Sequence, residues 1–212
     1  TDVTTAVELL KQAKQPLAYV GEGVIYADAV DELQAFIELA NIPVVTTLKA
    51  KGAFPEDHPL FVGVRGDYVI DYLTNADLIL AVGSSLSPGR FSHRIPKAAD
   101  KTIINVNVSE LDVNKVFPTA HALIGDAKFS LKALTAELGS GLDGGDRRAE
   151  VKAARDEGLK PYREALKSTD VPINPYRVYA GLMKVLDPHG SFVTHESGNT
   201  RDQLSTVYDT LL

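Results

Sequence analysis

Pro16-Leu17-Ala18-Tyr19-Val20-Gly21-Glu22-Gly23 is an apolar run that ends on two glycines, and a helix-period pattern of Val30, Leu33, Phe36, Ile37 and Ala40 follows it. A short apolar run bounded by glycine reads as a buried strand, and apolar residues three and four apart read as one face of a helix. The glycines stand where a strand turns into a helix. At such a turn, backbone N–H groups and a helix N-terminus converge on an anion. Ala76-Asp77-Leu78-Ile79-Leu80-Ala81-Val82-Gly83, followed by Ser84-Ser85, repeats the arrangement. Strands alternating with helices in this way predict an α/β fold with a doubly wound parallel sheet, both glycine turns lying on its carboxyl edge.

Working outward, Thr5 and Glu8 have the spacing of a capping box ahead of Leu9, Leu10 and Ala13, so a helix opens the chain. Residues 42–48, 102–108 and 121–126 read as further strands, the first dense in β-branched side chains as a parallel sheet requires. Residues 49–66, rich in Gly, Pro and charge, read as one long loop, and long loops in compact domains are functional or disordered. A short helix over 68–75 and a closing helix carrying Leu131, Leu134 and Leu138 complete a domain over 1–140. The four glycines of residues 139–146 read as a flexible linker. Residues 141–171 form that linker with a bridging helix over 150–167, interrupted at Gly158 and Pro161. Residues 172–212 read as an incomplete second α/β segment. It has a helix from Pro175 bearing Val178, Leu182 and Val185, then a short strand Ser191-Phe192-Val193-Thr194 that opens into a polar loop.

Composition narrows the function. With no cysteine in 212 residues there is no disulfide, thiolate metal site or thiol nucleophile, which fits a reducing, cytoplasmic setting. A net charge of -6 without a basic stripe argues against nucleic acid as a partner. No apolar run approaches membrane-spanning length, and no signal-peptide pattern opens the chain. The chain starts at Thr1 rather than Met, and is expected to be part of a longer one.

Gly21, Gly23 and Gly83 are candidates for holding a phosphate-bearing nucleotide (FAD, ADP or CoA), although Tyr26 stands where the third glycine of a full dinucleotide fingerprint would be. A tight turn without a ligand explains the same glycines. Asn105 lies in the strand where ribose-binding folds place an acidic residue, with Asn107, Glu110 and Asp112 close behind. Lys49, Lys51 and Arg65 could grip phosphate or simply be solvated. The five histidines show no metal-ligand spacing. His195 and Glu196, adjacent on an expected strand, would point to opposite faces.

A family resemblance rests on longer strings. Residues 16–24, Ile42-Pro43-Val44-Val45-Thr46-Thr47, Lys51-Gly52-Ala53-Phe54-Pro55-Glu56-Asp57-His58-Pro59-Leu60, Gly63-Val64-Arg65-Gly66, residues 76–83 and Ile124-Gly125-Asp126 occur in this order. Together they resemble the central domain of thiamine-diphosphate enzymes of the acetolactate synthase and oxalyl-CoA decarboxylase type. The resemblance implies a Rossmann-like, six-stranded parallel sheet that binds FAD, ADP or CoA in some members and nothing in others. Asn105 and Asn107 depart from the Asp-x-Asp often seen there. Glu196-Ser197-Gly198-Asn199-Thr200-Arg201-Asp202 resembles the opening of the diphosphate-binding domain, which implies that Ser197, Gly198, Asn199 and Thr200 hold the thiamine diphosphate.

The resemblance further implies a fragment of a thiamine-diphosphate- and Mg²⁺-dependent enzyme that carboligates or decarboxylates a 2-oxo acid as a homodimer or homotetramer. The activating glutamate and the Gly-Asp-Gly metal motif would come from other parts of that parent, so no catalytic residue and no metal ligand is expected here. Two other readings stand beside it: an autonomous nucleotide- or CoA-binding module, and a purely structural domain.

Overall fold

A computed structural model describes residues 2–89, 93–142 and 145–211. The elements run α1 (Asp2–Gln12), β1 (Pro16–Val20), α2 (Gly23–Tyr26), α3 (Val30–Ala40), β2 (Val44–Thr46), β3 (Phe61–Gly63), α4 (Asp67–Asn75), β4 (Leu78–Val82), β5 (Thr102–Asn107), β6 (His121–Ile124) and α5 (Ala127–Leu138). The six strands form one sheet in the order β3-β2-β1-β4-β5-β6, and every pair is parallel. The order reverses between β1 and β4. That topological switch point is where open α/β sheets bind ligands.

Burial on both faces explains the apolar runs. All five residues of β1 and all five of β4 are buried. One face packs Ala18, Val20, Leu80 and Val82 against α1, α3 and α5 through Leu10, Phe36 and Leu134. The other packs Tyr19, Ile79 and Ala81 with Val69 and Leu73 of α4. Fully burying a Leu, Ile or Phe side chain contributes about 1.5–3 kcal/mol, so the interlocked faces hold the sheet in register, with Val20 opposite Val82. Asn41, at φ 51°, ends α3. Asp126 starts α5 by accepting from the N–H groups of Lys128 and Phe129.

Several expectations change. The long loop over 49–66 contains β3, which pairs with β2 to complete the six strands. It also buries Ala50, Ala53, Phe54 and Leu60 completely. A three-residue edge strand is too short for periodicity to reveal, but tertiary packing suffices to hold it. The opening helix begins at Asp2, so Thr5 and Glu8 lie inside α1 rather than capping it. Within the expected flexible linker, residues 143–144 lie outside the described residues. On either side the backbone is anchored: a Cβ on Gly141 would come within 2.6 Å of Leu39 O, and Asn41 Nδ2 donates to Gly145 O at 3.2 Å.

Beyond it, α6 (Arg147–Gly158) is capped by Asp146, and α7 (Lys160–Ala165) has Pro161 in its first turn, so the bridging helix breaks at Leu159. Then follow α8 (Pro175–Val185), capped by Asn174, and α9 (Asn199–Val207). Ser191-Phe192-Val193-Thr194 is not a strand. A strand needs a neighbour for its backbone groups, and none of the described strands lies beside it. No helix among the described residues is long and apolar enough to cross a membrane.

Candidate functional site

At the switch point the β1 and β4 turns press together. Gly21 N–H donates to Val82 O at 2.9 Å, and Gly23 N–H to Gly83 O at 3.0 Å. A Cβ on Gly21 would fall 2.3 Å from Gly83 O, and one on Gly23 2.8 Å from Gly83 Cα. Gly83 itself has φ +63°. The glycines are therefore required by backbone-to-backbone packing, and no ligand is needed to explain them. A crevice of about 260 Å³ lies over the two turns, lined by Gly21, Glu22, Thr47, Lys49, Gly83 and Ser84 among others. Glu22 carries a carboxylate into it and pairs with Lys49 at 3.1 Å, which neutralises the cation a phosphate would need. Ligand pockets run to about 300–1,000 Å³. A crevice this small, whose one cation among the described residues is already paired, does not fit FAD.

The other two nucleotide candidates lie apart from this lining. Arg65 sits 3.4 Å from Asp202 of α9. Asn105 is completely buried in β5, between Ala81 and Ala122 on the flanking strands, and neither polar atom of its amide has a hydrogen-bond partner among the described residues. Leaving such a group unpaired costs about 1–3 kcal/mol. Asn107 has a structural part: its Nδ2 donates to Ser84 O at 3.2 Å and its Oδ1 accepts from Ser109 N–H at 3.0 Å, tying the β4 turn to the end of β5.

On the same row of the sheet, the Tyr19 hydroxyl accepts from His93 N–H at 3.1 Å and lies 3.4 Å from His93 Nδ1. Burial pushes the Tyr19 hydroxyl up to about 12 and holds the His93 imidazole below its ordinary value. Both side chains are therefore neutral near pH 7.

The second candidate site is the turn before α9. Gly198 caps the helix at φ -94°, ψ -145°, with Asn199 and Thr200 as its first residues. Ser197 and Asn199 are exposed. The Glu196 carboxylate folds over this turn, so that a Cβ on Gly198 would come 2.3 Å from Glu196 Oε1. A helix N-terminus favours an anion through its unpaired N–H groups and its dipole. His195 Nδ1 lies 2.9 Å from Glu196 O; the neighbours do not alternate across a strand, because no strand forms.

The long loop's cations all meet carboxylates. Lys49 pairs with Glu22, Lys51 with Glu56, and Arg65 with Asp202. His58 lies 3.3 Å from Glu38, and His121 Nε2 lies 2.7 Å from Asp2 O. No group of three His, Asp or Glu side chains able to hold a metal occurs among the described residues. Sequence reasoning missed the burial of Glu56, which is only 1% exposed. A charge in a string rich in Pro, His and Asp reads as solvated, and only long-range contacts reveal otherwise.

Comparison with known proteins agrees with the parallel α/β fold. Residues 3–134 match the family model described as "Thiamine pyrophosphate enzyme, central domain". The chain is 39% identical over 141 residues to the acetolactate synthase large subunit of Corynebacterium glutamicum, covering 62% of this chain and 22% of that protein. It is 33% identical to the probable acetolactate synthase large subunit of Methanocaldococcus jannaschii, covering 87% of this chain and 32% of that one. It is 27% identical to the oxalyl-CoA decarboxylase of Escherichia coli K12, covering 98% of this chain and 37% of that one. The chain thus spans between about a fifth and two fifths of the length of these relatives.

Proposed function

The chain belongs to the thiamine pyrophosphate enzymes through their central domain, and from that premise we propose that it is a segment of an enzyme that makes or breaks a carbon–carbon bond beside the carbonyl of a 2-oxo acid. Residues 1–140 would form the central domain, 141–171 the connection, and 172–212 the start of the diphosphate-binding domain. The names of the relatives support the substrate class: acetolactate synthase, oxalyl-CoA decarboxylase and glyoxylate carboligase. Thiamine diphosphate, when bound, supplies the nucleophile that adds to the carbonyl and the electron sink for the breaking bond.

This chain's own contribution is to bind. Ser197, Gly198, Asn199 and Thr200 would present backbone N–H groups and small hydroxyl and amide side chains to the diphosphate at the N-terminus of α9. Mg²⁺ would be held by residues of the parent outside this segment. The parent is proposed to be a cytoplasmic homodimer or homotetramer, in line with a chain that has no cysteine.

The single observation that carries the reading is the glycine turn at the N-terminus of α9, where Gly198 precedes Asn199 and Thr200. Inorganic diphosphate titrated into the chain and followed by amide NMR shifts tests it. The amides of 198–200 move in the wild type and stay still in Gly198→Val; shifts confined to other residues would overturn the assignment.

A second reading, a module binding ADP or CoA, draws on the Asn105 amide, which has no partner among the described residues. Calorimetric titration with both nucleotides separates it from a purely structural domain, since heat is expected only if the module binds.

A further inference from the structure

A charge cluster around the buried Glu56 joins three parts of the chain that lie far apart in sequence. Glu56, on the loop before β3, pairs with Lys51. It also meets the C-terminal segment twice: its carboxylate accepts from Thr210 N–H at 2.9 Å, and its own N–H donates to Thr210 O at 3.2 Å. Lys51 Nζ donates in addition to Tyr208 O at 2.6 Å. From α6, Arg155 donates to Glu56 O at 2.8 Å and to Asp209 at 3.1 Å, with its guanidinium 5.3 Å from the centre of the Phe61 ring.

Apolar packing does little to hold this end of the chain. Beyond residue 165, the buried hydrophobic side chains among the described residues are Tyr179 and Leu204. Removing the segment would strip a partner from Glu56, Lys51 and Arg155 at once. All three reach one stretch of chain, residues 208–210, so the contacts form and break together.

We propose that Glu56 is a positioning residue, clamping residues 208–210 to the central domain and thereby fixing the helix α9 and the turn at Ser197–Thr200 that precedes it. The clamp stands on its own contacts. Its consequence for the diphosphate rests on the reading given above.

Residue-resolved amide exchange on the full chain tests it. In Glu56→Ala, Thr210 and α9 exchange about tenfold faster or more, while β1 and β4 keep their protection. Glu56→Gln, which retains an acceptor for Thr210 N–H, restores most of the protection. Thr210→Pro removes the donor from the opposite side without touching the sheet, and loosens α9 in the same way. Unchanged α9 exchange in Thr210→Pro overturns the proposal; if Glu56→Ala also loosens the sheet, the proline variant decides. A clamp that behaves as expected in a chain whose 198–200 amides ignore diphosphate would retain the positioning role and remove the cofactor reading.

Discussion

The sheet domain and the segment after residue 170 are built on opposite terms. In the first, Tyr19, Phe36, Phe54 and Phe61 are fully buried and the strands are covered on both faces. In the second, Val171 is 96% exposed, Val185 78% and Phe192 92%. The first part closes its own core. The second presents apolar residues without a core to bury them and is held through charges: Arg65 to Asp202, Arg155 to Asp209, and Lys51 to the Tyr208 carbonyl. Apolar surface is non-directional and needs volume behind it, whereas a few hydrogen-bonded charges can pin a segment that supplies no volume.

The contrast can be broken most sharply at Phe54. Phe54→Ala empties a fully buried site in what reads as a surface loop, and is expected to lower the unfolding free energy by about 3–5 kcal/mol in urea titration. A loss typical of an exposed loop would remove the loop from the core. The next test is the pH dependence of the clamp.

Burial is the largest influence on the Glu56 carboxyl and raises it above its ordinary 4.5, with Asp209 pushing the same way and Lys51 and the Thr210 N–H opposing. The Asp209 carboxyl is also raised, chiefly by burial, with Arg155 and Lys51 opposing and Asp57 adding to the rise. A raised carboxyl binds its proton more tightly in the folded state. Its contribution is therefore fully present below the ordinary value and is lost as pH climbs through the raised one. Glu56→Gln should gain on the wild type as pH goes from about 4.5 toward neutrality. A wild type that gains instead means that the Lys51 pairing outweighs burial.

A smaller effect is expected at the start of α5. Asp126→Ala removes a carboxylate that accepts from Lys128 and Phe129 N–H, and costs about 1 kcal/mol by thermal or urea unfolding. The smallest belongs to the other region: Phe192→Ala should change stability by less than about 0.5 kcal/mol, because its ring meets solvent. A loss of several times that size would make the second segment a packed unit and abolish the contrast.

Where the chain repeats a pattern, the sequence was readable. The runs around β1, β4 and β5 and the periodic faces of α3 and α5 are long enough to identify, and the strings shared with a known family lead to the same six-stranded sheet. The reading failed at short or non-local features. β3 has three residues, and its identity as a strand depends on β2 beside it. The segment over 191–194 has strand-like residues but no partner strand. At the candidate sites, the glycines were legible as turn formers, yet not how closely Gly21 and Gly23 press on Gly83. Arg65 was legible as a cation, yet not its carboxylate on α9.

By itself, then, the sequence determined the layered α/β architecture and the family, because hydrophobic periodicity and contiguous strings are local properties of the chain. Tertiary structure alone decided that a loop carboxylate is buried, that the switch-point glycines serve backbone packing, and that charges fasten the C-terminal segment. Each of these depends on which groups, distant along the chain, share one small volume and are shielded there from water. No residue carries that information on its own.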